Sequence, residues 1–534
     1  MSPPALAAFM LCAAGPWAQA SAAPAADAQV GERPGPQAAR AAERVAPRLR
    51  IEGVTVTDAG ELTRAGQAAL DVDAGPGAIE ALARVIEAKV RQAGRPFARA
   101  YVPAGGAMGG IVRVVVVEGR YGRVDLRGGA AGDAAQWFDA LQPGRPIGDE
   151  LARQVEAVSR LPGVTVTAGL GPGDEAGEGD VDVTVEQARR WALDLRADNH
   201  GNPYAGRWRG SAAGHVNGLL RFGDRLTASA GGNNGRGWEG AASYQTPLGR
   251  RGARAALSAS RHHYQLGGEF ERLGAQGQVE AGGVTVTVPL TTRAPARLTW
   301  QIGAEARRIT NRQTAVGLSD RRRALAVTTG LQTVLFPSAG TVAWGGLWME
   351  MGHVRLKDAS AAAFDAKTVR AAGEYLVLSA DAALLRQWDA WGLLLRGSGQ
   401  MSDKNLDASR KFSIGGARSV RAWPLGEASG DDGALAQTEL RYRWRGLEPF
   451  AFADIGRVRF NHTPWETGLQ GARAKAAPTG RTLAGAGLGL RWQRGHWSAE
   501  GTAGWRLGSA AQRVSTSDPK GRQPQLWISV AYSL

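Results

Sequence analysis

Cysteine is almost missing: the single Cys12 of 534 residues lies inside an apolar, alanine-rich opening stretch. Beyond that stretch a disulfide, a thiolate nucleophile and a thiolate metal site are all excluded. Also missing is any later run of about 18 uninterrupted apolar residues, which removes a helical membrane span. Histidine is scarce, at seven, and the one adjacent pair, His262 and His263, falls on a strand-like segment. Neighbours on a strand point to opposite faces, so that pair cannot chelate one metal. No H-E-x-x-H, G-x-S-x-G or P-loop spacing occurs. Gly485, Gly487 and Gly489 lack the strand-to-helix context of a phosphate loop; small residues on one face of a strand instead let a neighbouring segment pack close. The expectation is no cofactor, no metal and no enzyme, with a serine and histidine lipase at the lumen or rim as the one enzymatic alternative that spacing leaves open.

What is abundant is glycine, at 74, and tryptophan, at 17, which together suggest something sheet-like and interfacial. The formal charge of +15 comes from 64 Lys and Arg against 49 Asp and Glu. A basic chain raises nucleic acid as a partner. The arginines here are scattered, with 321–323 the only run of three, so no continuous footprint forms and no nucleic acid is expected.

From Trp191 onward the hydrophobic period is two. Leu526, Ile528, Val530, Tyr532 and Leu534 alternate with Trp527, Ser529, Ala531 and Ser533; Thr438, Leu440, Tyr442 and Trp444 alternate with Glu439, Arg441, Arg443 and Arg445. Charges on the second face would be intolerable in a dry sandwich core. They suit a water-filled lumen whose outer face meets lipid. Sixteen such segments can be counted, beginning near Trp191 and ending with the one near Gln525, the eighth starting near Arg323.

The chain before the strands divides differently. Residues 1–20 read as a signal peptide ending in Ala18-Gln19-Ala20. Residues 21–47 are rich in Ala, Pro and Gly and read as a linker or a short plug helix over 37–46. Two α+β units follow, 48–118 and 119–187. In the first, Ile79, Leu82, Val85, Ile86 and Val90 form the apolar stripe of an amphipathic helix, and 111–117 is a β-branched strand. In the second, helices are expected over 134–141 and 147–161. The first of these carries Trp137, Phe138 and Leu141, which look like an apolar surface for a partner, the alternative being that domain's own core.

Between two strand-like runs lies 412–433, FSIGGARSVRAWPLGEASGDDG, too long for an ordinary connection. Its core is Val420, Arg421, Ala422 and Trp423, and Phe452, Asp454 and Gly456 follow on a strand. A guanidinium fork matches a carboxylate, so Arg421 and Asp454 are a candidate pair. The two motifs together resemble those of the two-partner secretion transporters, the haemolysin and filamentous-haemagglutinin secretion proteins. That family has glycine at the position of Ala422 and usually tyrosine or phenylalanine at that of Trp423. Leu161-Pro162-Gly163-Val164 with Val181-Asp182-Val183 resembles its last POTRA domain, and Asp198-Asn199-His200-Gly201 its start of the barrel.

The resemblance implies a periplasmic α+β POTRA tandem followed by a transmembrane 16-stranded antiparallel β-barrel over 188–534, with a long inward-folded loop over 403–433. It implies an outer-membrane transporter that captures an unfolded, large, repeat-rich exoprotein and moves it to the surface. Outer-membrane lipid and the barrel assembly machinery are its other expected partners. An assembly barrel of the same superfamily and a passive porin are the alternatives; a porin needs neither the N-terminal units nor the Arg421 loop.

Overall fold

The computed structural model describes residues 48–55, 59–72, 77–108, 111–291, 295–464, 479–518, 521 and 523–534. The expected signal peptide, 1–20, and the linker or plug helix, 21–47, lie outside the described residues.

The first α/β unit contains β1 (Arg48–Glu52), α1 (Ala59–Val72), α2 (Ala78–Gln92), β2 (Arg99–Tyr101), β3 (Ala107–Met108) and β4 (Ile111–Val117). Strand β4 is central, with β1 parallel to it and β2 and β3 antiparallel. Because side chains alternate along a strand, Val112, Val114 and Val116 share one face. They meet Leu82, Ile86 and Val90, which recur at i, i+4 and i+8 on α2, and all six are buried.

The second unit runs β5 (Arg120–Arg127), α3 (Ala131–Ala134) continuing into a 3-10 turn (Ala135–Trp137), α4 (Glu150–Ser159), β6 (Val164–Pro172) and β7 (Glu178–Gln187). The sheet order is β5-β7-β6. Here the sequence expectation needs correction. The helix expected over 134–141 is only about two turns, beginning earlier and ending at Trp137, and Trp137, Phe138 and Leu141 are 4%, 2% and 5% exposed, packed with Val181, Val183 and Val185. A three-stranded sheet with one ten-residue helix has little apolar surface of its own, and the aromatic pair supplies the missing volume. These residues form the core of their unit and present no surface to a partner.

Sixteen antiparallel strands then close into a barrel. They are β8 (Trp191–Asp198), β9 (Arg209–Asn217), β10 (Arg225–Asn233), β11 (Trp238–Leu248), β12 (Ala253–Gln265), β13 (Ala275–Thr291), β14 (Ala296–Gln313), β15 (Leu318–Ser338), β16 (Thr341–Leu356), β17 (Gly373–Trp388), β18 (Trp391–Ser402), and, after two short strands β19 (Phe412–Ile414) and β20 (Ala428–Gly430), β21 (Asp432–Tyr442), β22 (Leu447–Arg459), β23 (Gly480–Arg494), β24 (Trp497–Arg506) and β25 (Gln525–Ser533). Period-two alternation sets the two faces. Along β25, Leu526, Ile528 and Val530 are exposed on the outside while Gln525, Trp527 and Ser529 are buried inside.

One end of the barrel carries the shorter connections, such as 339–340, 389–390 and 495–496, and a longer one at 218–224, and the other carries long connections at 357–372, 403–431, 460–479 and 507–524. In outer-membrane barrels the short turns are periplasmic and the long loops extracellular. Around the short-turn end Trp191, Trp391, Trp444 and Trp497 are exposed, and Trp391 and Trp497 lie 4.9 and 4.8 Å from Tyr442 and Tyr532. This is the amphipathic girdle expected at a lipid interface. The second α/β unit packs on the same end: Phe222 enters its core, Leu161 sits against Gly223, and Asp139 pairs with Arg250.

Candidate functional site

The connection from β18 to β21 turns back into the lumen as a hairpin, β19 antiparallel to β20, with its tip at Val420–Trp423. Gly415 and Gly416 make that possible. Their φ values are +99° and +110°, and a Cβ on Gly415 would lie 2.4 Å from the Pro424 carbonyl oxygen.

Strand β22 receives the tip through three consecutive inward positions. The guanidinium of Arg421 lies over the Phe452 ring, 3.8 Å from its centroid. Its Nε and Nη2 donate to the two carboxylate oxygens of Asp454 at 2.8 and 2.6 Å, and its backbone N–H donates to Oδ2 at 3.0 Å. Gly456 leaves the space that the methyls of Ile414 and Val420 approach; a Cβ there would meet them at 3.1 and 3.2 Å. Residues i, i+2 and i+4 of one strand thus hold the ring, the charge and the aliphatic part of the tip.

A second carboxylate completes the arrangement and was not identified from sequence. Glu439 on β21 accepts from Arg421 Nη1 at 2.5 Å. Arg421, Asp454 and Glu439 are 4%, 3% and 6% exposed, so the charges interact with little water between them. Glu439 also accepts from Arg441 at 2.6 Å and from Arg491 at 3.1 Å, and Arg491 reaches Glu448 and Glu500. Buried charges of this kind cost more to separate than to assemble, since removal of one partner leaves the other unpaired.

The remaining tip residues fit a floor of glycines. A Cβ on Gly485 would fall 2.3 Å from the Cβ of Ala422, and one on Gly504 would fall 3.0 Å from its Cα. Gly487 and Gly489 make room in the same way for the rings of Phe452 and Phe450. Among the described residues the non-glycine positions with positive φ are Arg236, Arg370, Asp389 and Arg445. Ala422 is not one of them, so the side chain standing where the resembling family has glycine needs only space, which Gly485 supplies. Trp423 is fully buried, donates to the Ala484 carbonyl at 3.0 Å and has the guanidiniums of Arg481 and Arg506 at 5.3 and 4.7 Å from its ring. Trp527 donates to the Arg421 carbonyl at 2.7 Å.

The root of the hairpin is tied to other loops. Glu427 accepts from Ser515 Oγ at 2.6 Å, from Thr516 N at 2.7 Å and from Arg481 Nη1 at 2.7 Å. Asp431 accepts from Leu406 N and His462 N and pairs with Lys411 at 2.7 Å. The turn after β8 has its own part: Asn199 donates to the Leu526 carbonyl and accepts from Ile528 N, joining the first and last strands, which share five residue pairs in register. Trp137, Phe138 and Leu141 lie apart from all of this, in the core of the second α/β unit. Among the described residues no group of three or more His, Cys, Asp or Glu side chains is placed to hold a metal.

A closed 16-stranded barrel with lipid-facing aliphatic residues and a charged hairpin lodged in its lumen is an outer-membrane protein of the class that fills its own pore. Residues 177–492 match the family described as haemolysin secretion/activation protein ShlB/FhaC/HecB, and the chain belongs to that family. Relatives named heme/hemopexin transporter protein HuxB, from Haemophilus influenzae strains 86-028NP and ATCC 51907, are 25% and 24% identical over 356 and 357 residues. Each match takes in 65% of this chain and 62% of the relative, so the chain spans less than two thirds of their length. Among solved structures the chain is similar to CdiB from Escherichia coli, with a TM-score of 0.72 at 19% identity over 91% of this chain and 90% of that one. It is also similar to CdiB from Acinetobacter baumannii, at 0.67 and 15% over 91% and 89%. BamA from Haemophilus ducreyi lacking POTRA domains 1-3 scores 0.52 at 13% over 91% and 99%. At these identities the structures show a shared fold.

Proposed function

We propose that the protein is the outer-membrane transporter of a two-partner secretion system. Its cargo is an unfolded secreted polypeptide, and its two α/β units are POTRA domains in the periplasm. The observation that carries this reading is the Arg421 tip clamped by Asp454 and Glu439 inside the lumen, in a chain of the haemolysin secretion/activation family. A passive pore has no use for a buried ion-pair lock. The name of the relatives, heme/hemopexin transporter protein, supports transport as the function.

Capture falls to the sheet edge of the second unit. Among the described residues β6 pairs only with β7, so its other edge offers free backbone donors and acceptors beside the barrel mouth, and an extended chain can add there as a further strand. The sequence holds no nucleotide-binding loop, and the driving force is folding of the cargo outside, where each folded segment can no longer slide back. The test is export of the cognate cargo by Arg421→Ala and Asp454→Ala variants at matched membrane levels. Both should abolish export while the barrel stays inserted, and normal export by either removes the lock from the mechanism. Transport by the purified protein in liposomes should proceed without ATP; an ATP requirement refutes the folding-driven step.

A further inference from the structure

On the outer face of the barrel, near the long-loop ends of β14, β15 and β16, three arginines stand in one row. Arg308 is directly opposite Arg323, and Arg323 directly opposite Arg355. All three are exposed. Like charges opposite one another on neighbouring strands repel. Arg308 reaches Glu280 at 3.4 Å, and Glu280 lies 3.6 Å from Arg261. Arg323 and Arg355 have no hydrogen-bonding or ionic partner among the described residues. Beyond them, the Arg323 and Arg355 guanidiniums hold the Lys357 ammonium below its ordinary range. Glu374, opposite His353, is a further acid on this face, and one rung beyond the row Asp358 is taken up by Arg321 at 2.8 Å.

The height of the row follows from the strand. On β15 the outward residues Leu335, Leu331, Val327 and Leu325 are all exposed and face lipid. From Leu335 to Leu325 is a rise of about 34 Å along the strand, or about 25 Å along the barrel axis at a tilt of about 40°, the full height of an apolar band. Arg323 is the next outward rung and stands at the headgroup level of the outer leaflet. Below the row, Gly282 and Ala306 carry almost no side chain, and with Leu325 they floor a shallow cavity of about 520 Å³ whose mouth is lined by Arg308, Arg323 and Arg355. Two unpaired guanidiniums beside a third that Glu280 shares, above a groove floored by small and apolar residues, are complementary to one kind of lipid. Arginine forks bind phosphate bidentately, and an acyl chain fills the groove.

We propose that Arg308, Arg323 and Arg355 bind the phosphorylated headgroup of an outer-leaflet glycolipid, with one of its acyl chains lying over Gly282 and Ala306. This holds whatever the barrel transports. The experiment is native mass spectrometry of the purified full-length barrel with bis-phosphorylated lipid A, its dephosphorylated form and phosphatidylethanolamine as probes. The phosphorylated lipid should be retained preferentially. An Arg323→Ala/Arg355→Ala variant should lose about twenty-five-fold in retention, from about fivefold per arginine near an anionic surface. Arg323→Lys should lose less, and Arg297→Ala, at the opposite end of the barrel, nothing. Equal retention of the phosphorylated and dephosphorylated lipids by the unaltered protein overturns the proposal without any variant. So does unchanged retention in the double variant that still migrates as a folded barrel. Displacement of the lipid by millimolar inorganic phosphate also overturns it, because a free-anion site would then account for the arginines.

Discussion

Placing one methyl group on the wrong side of the hairpin tip should undock it. In Gly485→Ala the new Cβ would lie 2.3 Å from the Cβ of Ala422 and 3.3 Å from the Trp505 carbonyl oxygen. Carbon atoms rest at about 3.5 to 4 Å, so the tip must retreat by more than about 1 Å. The Arg421 bonds to Asp454, now 2.6 and 2.8 Å, would then stretch beyond hydrogen-bonding range. Overpacking of this kind costs about 1–3 kcal/mol. Ala422→Gly removes the opposing methyl and costs about 1–2 kcal/mol from lost burial and added backbone freedom. The pair should not add: with Ala422→Gly in place the Gly485→Ala methyl enters the space just vacated, giving a coupling of about 1–2 kcal/mol. Docking is read as hydrogen exchange of amides 419–423 and as trypsin cleavage after Arg418 and Arg421 in the folded barrel. Gly485→Ala should accelerate both by about fivefold to over a hundredfold, at about 1.4 kcal/mol per decade, and the double variant should be slower than Gly485→Ala alone. Strict additivity would refute the claim that these two positions share one space.

Two further predictions concern the hairpin root and the N-terminal region. Glu427→Ala removes the acceptor shared by Ser515, Thr516, Ser517 and Arg481, so it should expose 507–518 to trypsin at Arg513 while the Arg421 tip stays protected; simultaneous release of both would show that tip and root are one lock. In the first α/β unit burial pushes the Glu118 carboxyl up, but hydrogen bonds from Thr55 and the Arg95 guanidinium outweigh it and hold the group below the usual carboxylate range. Since the folded state favours the ionised form, its contribution is complete above the unfolded pKa, near 4.5, and fades as pH falls below that. Protection of the Thr55 amide, corrected for intrinsic exchange, should drop below about pH 4.5, and Glu118→Gln should remove that dependence.

Much of the barrel was legible because period-two alternation is a local property. Of the sixteen strand starts the largest displacement is at β15, which begins at Leu318 and not near Arg323. There the strand continues above the lipid, where both faces are polar and alternation no longer marks it. The site was legible only in part. Arg421 and Asp454 stand out by their motifs, but Glu439 looks like one acid among many until the register places it opposite Phe452. Gly485 likewise gains its meaning from lying opposite Asp454 on one side and Arg506 on the other. Register is set by turns and by whole-strand packing, and no single window of sequence contains it. The reading of Trp137, Phe138 and Leu141 failed for a related reason: an apolar cluster on a short segment does not reveal whether its own sheet is large enough to do without it.

The lock at the tip is suited to opening because its parts are not equally dependent on one another. If the hairpin withdraws, Asp454 keeps a contact to Gln437 Nε2 at 3.4 Å, and Glu439 keeps Arg441 at 2.6 Å and Arg491 at 3.1 Å. Neither carboxylate is left bare in a dry core, and the lumen can admit water. The cost of undocking therefore falls below the 3–5 kcal/mol or so of a buried pair that loses its partner with nothing to replace it. At about 3 kcal/mol the withdrawn state is populated at somewhat under one per cent, within the range from which a ligand can select a minor conformer. Arg421 has no such reserve. The four hydrogen bonds it donates all run to Asp454 and Glu439, so on the proposed function a segment entering the lumen must either offer the guanidinium another acceptor or wait for water to do so. The asymmetry puts the unreplaced contact on the hairpin and leaves the barrel wall electrostatically intact whether the hairpin is docked or withdrawn.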